Sequence, residues 1–251
     1  MRRHPSTLLA PLLVALAVSP VRSAPAPAVA SDQGSFIVSS HGRPVGREDF
    51  KFSLRGDSLV LESEAELTLD PEQPTRKKYL RSSYHRDSWM LLTYNSSLAW
   101  EGEVFRVGVA PGLDTTVTVY HEHGVQGEGN TYARPPGRLF VLDAQFYSLF
   151  QVIAGSLATQ DFESRPITIL AVGTRDTVAE AVVRRAGTES IRWGARPVSA
   201  SKLRFEQGRL VFDLWLDARN RVLRIAHAPS GLVVERKAPA VRRPAKPKPP
   251  G

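Results

Sequence analysis

The chain has no cysteine in 251 residues, so disulfides, thiolate metal sites and a cysteine nucleophile are all closed to it. Its fold must rest on the core alone. It also lacks a long apolar run. Leu8 to Val18 spans eleven residues and contains Pro11, whereas a membrane-crossing helix needs ~20. Excess charge of one sign is missing from most of the chain as well. The formal net charge is +8, yet residues 31–236 carry 25 Lys and Arg against 25 Asp and Glu. That balanced stretch offers phosphates no net field, so nucleic acid is not an expected partner. With 42% hydrophobic residues, the composition also excludes a disordered or collagen-like chain.

The surplus charge sits at the two ends. Arg2 and Arg3 precede the short apolar run, and small residues follow at Ser23, Ala24, Ala26, Ala28 and Ala30. That order is the layout of a secretory signal, so residues 1–30 are expected to direct export to the periplasm or beyond. Cleavage after Ala30 fits well, and Ser23 or Ala28 fit nearly as well. Residues 237–251 carry five Pro and five basic residues. Such a segment buries too little to offset its ordering entropy, so an extended basic tail able to touch an anionic envelope surface is expected.

Between the ends, residues 31–236 read as one domain. Turn signals recur at short intervals, among them Arg55-Gly-Asp57, Asp70-Pro, Ala110-Pro-Gly112, Pro135-Pro-Gly137, Gln207-Gly208 and Pro229-Ser-Gly231. The runs between them alternate with period two. Leu59, Leu61, Ala65, Leu67 and Leu69 share one face, and Glu62, Glu64 and Glu66 the other. Leu210, Phe212, Leu214 and Leu216 alternate with Val211 and Trp215, which predicts a strand covered on both sides. About fourteen strands are expected on this count. One segment differs: Phe146, Leu149, Phe150, Ile153 and Leu157 make a single apolar stripe at helical spacing. The helix is predicted over 144–158 with Asp143 as its N-cap. The expected fold is mainly β: a large curved antiparallel sheet, or a partly open barrel, with one amphipathic helix on its concave face.

Several short motifs carry a family resemblance. Gly42-x-x-Val45-Gly46-x-Glu48, Leu139-Phe-Val-Leu-Asp143-x-x-Phe146-Tyr147, Leu214-Trp-Leu-Asp217 with Val222-Leu-Arg224, and Gly231-Leu-Val-Val-Glu-Arg236 resemble segments of bacterial exported β-rich domains of unknown function. Those domains are similar in architecture to the periplasmic lipoprotein-carrier and lipid-binding half-barrels. The resemblance implies a fold and an apolar ligand, and carries over no ligand-contacting residue.

Motifs with chemistry are few. His121 and His123 share a strand face about 7 Å apart and could reach one ion. A third ligand has to come from elsewhere, with Glu48, His85 or Asp114 as candidates, and a simple exposed strand face is the alternative. No Gly-x-Ser-x-Gly elbow exists. Gly124-x-x-Gly127-x-Gly129 lacks the phosphate-cradling order, so no cofactor is expected. The sequence therefore predicts a non-enzymatic exported protein that holds an apolar or lipid-like ligand between sheet and helix. Phe146, Phe150 and Ile153 are the candidate ligand-contacting residues. The alternative is an envelope structural or interaction protein whose own side chains fill the concave face.

Overall fold

The computed structural model describes residues 31–68, 74–112, 115–158 and 160–239. The expected signal segment, most of the basic tail, Leu69, the Asp70-Pro turn and Asp114 lie outside the described residues. Among the described residues fifteen strands form one sheet. The first eight run as an antiparallel meander: β1 (Gln33–Ser40), β2 (Arg43–Arg55), β3 (Ser58–Leu67), β4 (Arg76–His85), β5 (Leu91–Trp100), β6 (Glu103–Pro111), β7 (Thr116–His123) and β8 (Gln126–Ala133). Then come β9 (Leu139–Asp143), the helix α1 (Ser148–Leu157) and β10 (Ser164–Val172). A second meander follows through β11 (Thr177–Trp193), β12 (Arg196–Gln207), β13 (Leu210–Leu216), β14 (Val222–His227) and β15 (Leu232–Arg236). β15 pairs with β1, so the two meanders meet in the middle of the sheet and leave β8 and β9 as its edges. Among the described residues no backbone ladder joins those edges, so the curved sheet is open.

The sheet departs from a wholly antiparallel one at a single place. β9 and β10 pair in parallel, with α1 as the crossover between them. Strands that run the same way cannot be joined by a tight hairpin, and the helix supplies the return path. Elsewhere hairpins follow the turn signals. Gly56 and Gly208 take the left-handed backbone that the β2–β3 and β12–β13 turns require, at φ of 59° and 56°.

Period-two patterning decides which side is buried. On β3, Leu59, Leu61, Ser63, Ala65 and Leu67 face the core, while Glu62, Glu64 and Glu66 face out. Glu66 pairs with Lys77 of β4 at 2.9 Å on that outer face. From Leu214 to Leu216, β13 is covered on both sides. Leu214 and Leu216 join the main core, and Trp215 packs outside with Ile191, Ala200 and Leu223 in a separate small cluster.

The helix is shorter than its stripe predicts and is buried all round. It begins at Ser148 because Gln145 has φ of 83°, which no helical residue adopts. Asp143 does not cap it: its carboxylate is held by Lys78, Tyr94 and Ser96 instead. All ten helical residues are buried. The polar ones are satisfied inside. Gln151 Oε1 accepts from the Val222 amide at 2.6 Å, and its Nε2 donates to the Asn220 carbonyl at 2.9 Å. On the apolar side, Phe150 meets Phe205 and Phe212 at ring-centre distances of 5.5 and 5.0 Å.

Candidate functional site

The first turn of a helix leaves backbone amides without partners. In α1 they are met by Glu48 of β2, a hundred positions away in sequence. Glu48 Oε2 accepts from the Tyr147 amide at 2.7 Å, Oε1 accepts from the Ser148 amide at 3.1 Å, and the Ser63 hydroxyl donates to Oε1 at 2.7 Å. The carboxyl is fully buried, and that desolvation pushes its pKa up to about 7 despite these hydrogen bonds. The folded protein therefore keeps this proton to a higher pH than the unfolded chain, where the group titrates near 4.5. Its contribution to stability is full below about pH 4.5 and is lost as pH rises through about 7, by up to about 3 kcal/mol. Denaturant titrations between pH 5 and 8 should show that fall, and Glu48→Gln should flatten it. An unchanged slope in the variant would mean that Glu48 stays ionised throughout.

Two side-chain clasps draw the open sheet together. At one, Asp143 of β9 accepts from Tyr94 Oη at 2.5 Å and Ser96 Oγ at 2.9 Å, and pairs with Lys78. Burial and the Asp143 charge hold the Tyr94 phenol well above its usual range. At the other, Asp176 in the β10–β11 turn lies 2.8 Å from His121 Nε2 and accepts from Tyr132 Oη at 3.3 Å. A polar opening of about 500 Å³ adjoins this second clasp.

The C-terminal end of α1 meets β9 and β10 at a different kind of opening. Phe140, Leu157, Pro166 and Ile167 give this cleft, of about 450 Å³, its apolar lining, together with Pro135 and Pro136. Phe140 and Ile169 are register partners in the parallel β9–β10 ladder, so Ile167 and Arg165, two and four residues earlier on β10, share their face. Arg138 and Arg165 both line the cleft. Arg138 Nη1 donates to the Ser156 carbonyl at 2.9 Å, at the negative end of the helix. Its guanidinium is held below the ordinary range by burial and by the Arg165 charge. Gln160, Thr168 and the exposed Glu180 complete the polar lining. By contrast, the void between Ala154 and Leu157 of the helix and Leu203 and Leu216 of the sheet measures only about 30 Å³.

Phe146, Phe150 and Ile153 lie in the packed interior, and none of them lines the cleft. Leu157, one turn beyond Ile153, carries the same stripe to its edge. His121 and His123 point to separate carboxylates: His121 to Asp176, and His123 to Glu103 at 3.3 Å while its ring stacks on Phe105. Glu48 is engaged at the helix, and His85 Nδ1 accepts from the Ser88 amide. Among the described residues no three acidic or histidine side chains converge as metal ligands do. Sequence reasoning passed over Arg138 and Arg165, because Pro135-Pro-Gly137 read only as a turn.

No family model matches the chain, and no curated protein matches it. Among solved structures, the chain is similar to a β-barrel-like protein of the domain of unknown function DUF1849 from Brucella abortus. That match has a TM-score of 0.53 at 9% identity and covers 83% of this chain and 95% of the other. A DUF1089 family protein from Pseudomonas aeruginosa aligns more loosely, with a TM-score of 0.46 at 14% identity over 70% of this chain and 87% of that one. The first likeness establishes a fold shared with a β-barrel-like domain of unknown function.

Proposed function

We propose that this chain is an exported, non-enzymatic binding domain that holds the apolar part of an amphipathic molecule between the end of α1 and the β9–β10 pair. The observation that carries the reading is the cleft of about 450 Å³ with Phe140, Leu157, Ile167 and Pro166 along it. Its size falls within the roughly 300–1,000 Å³ of small-molecule sites, which are mostly apolar with a few placed polar groups. The polar groups around it are two guanidiniums, an amide, a hydroxyl and one exposed carboxylate. That set contains no nucleophile beside a base and no carboxylate pair, which favours binding over catalysis. The charged, apolar and small-residue order of residues 1–30 supports the export part of this reading, and the basic residues from Lys237 onward suit contact with an anionic envelope surface.

A second reading, an envelope structural or interaction domain without a ligand, is favoured by the filled interior around α1. One experiment separates the two. Native mass spectrometry of the protein purified from its own host should show a chain beginning between Ala24 and Ser31, together with a bound small amphiphile. A cleaved chain free of any adduct favours the structural reading, and an intact Met1 contradicts export.

A further inference from the structure

The geometry points to an oxyanion, a carboxylate or phosphate ester, as the head group of the molecule held in the cleft, bound between Arg138 and Arg165. This inference rests on the binding reading above and adds the charge of the ligand to it. Two guanidiniums stand at one opening, and among the described residues neither has a carboxylate partner. Elsewhere many exposed or partly buried arginines are paired: Arg106 with Glu122, Arg204 with Asp213 and Arg221 with Asp217. Two like charges at one site repel, and an oxyanion between them relieves that repulsion while accepting charge-assisted hydrogen bonds. The chain has one donor of Arg138 already committed to the Ser156 carbonyl, which fixes the guanidinium at the mouth and leaves its other N–H groups for a ligand. Ile167 stands two residues after Arg165 on the same strand face, so an apolar chain attached to the anion would run along Ile167 toward Leu157 and Phe140. Glu180 on the rim opposes the anion and partly offsets the two positive charges.

The test compares four probes on the mature chain by calorimetry below their micelle concentrations: dodecanoate, dodecyl phosphate, neutral dodecanol and inorganic phosphate. Dodecanoate or dodecyl phosphate should bind at least about tenfold more tightly than dodecanol, the increment expected of a charge-assisted hydrogen bond. Whichever of the two binds more tightly identifies the oxyanion. Arg165→Gln should abolish most of that preference. Arg165 is exposed and its side chain makes no hydrogen bond or ion pair among the described residues, so this variant should fold as the parent does. Glu180→Gln should move the preference the other way and tighten both anionic probes. Equal binding of dodecanol and dodecanoate would overturn the head-group inference and leave the binding reading standing. Binding of inorganic phosphate as tight as that of dodecyl phosphate would overturn the amphiphile. Failure of every probe would remove the binding reading itself.

Discussion

Phe150→Ala should lower the stability of the chain by about 3–5 kcal/mol, the range for truncating a buried phenylalanine that leaves a cavity. Phe150 is 5% exposed and is wedged against Phe205 of β12 and Phe212 of β13. Its neighbours in α1 are buried as well, so the helix has no free side toward which the surroundings can collapse. Loss of the two aromatic contacts adds to the loss of area. For a domain of this size the melting temperature should fall on the order of 10 °C. Phe150→Leu, which keeps most of the volume, should cost much less. A loss below about 1 kcal/mol for the alanine variant would show that the space around Phe150 is open, and would move the ligand from the helix end to the helix flank.

An effect of similar size is expected at the junction of the two meanders. Asp32, just ahead of β1, and Arg236, at the end of β15, form a buried two-pronged ion pair with Nη1–Oδ2 at 2.8 Å and Nη2–Oδ1 at 2.5 Å. Arg236 Nη2 also donates to the Gln33 carbonyl at 2.8 Å, and its guanidinium lies over the Phe50 ring. Both side chains are almost wholly buried. Asp32→Ala leaves the guanidinium buried without its counter-charge and should cost about 3–5 kcal/mol in urea unfolding. Replacing both partners, as Asp32→Leu with Arg236→Met, should recover a large part of that loss, because the buried charge leaves with its partner. A double variant as unstable as Asp32→Ala alone would mean that packing at this junction, and not the stranded charge, sets the cost.

The strands were legible from sequence because one buried face forces period-two alternation, which β3 follows from Leu61 to Leu67, and because a run apolar on both faces, as at the end of β13, marks a strand covered on both sides. The helix was legible from the same physics at period 3.6, but its start was not. Asp143 looks like an N-cap by its place in the chain, and only the tertiary fold shows that it is taken by β4 and β5 while Glu48 of β2 meets the helix amides. Likewise the stripe from Leu149 to Leu157 says which side of a helix is apolar, but not that a curled sheet covers the remaining sides as well. Gln151 illustrates the difference: a polar residue off the stripe that spends both ends of its amide on the β13–β14 turn and the start of β14. The cleft was out of reach for a related reason. Arg138 precedes β9 and Arg165 opens β10, and the parallel crossover through α1 is what brings them to one mouth. Periodicity reports the faces of single elements, and it is silent on which ends of two elements meet.

The most direct measurement is photolabelling of the mature chain with a diazirine-bearing fatty acid, followed by peptide mapping with and without excess dodecanoate. The account predicts saturable adducts, displaced by dodecanoate, on the peptides that carry the cleft residues Arg138, Phe140, Leu157, Arg165 and Ile167. Adducts confined to the β6–β8 groove around Phe105 and Gln126, or labelling that dodecanoate fails to displace, would contradict it.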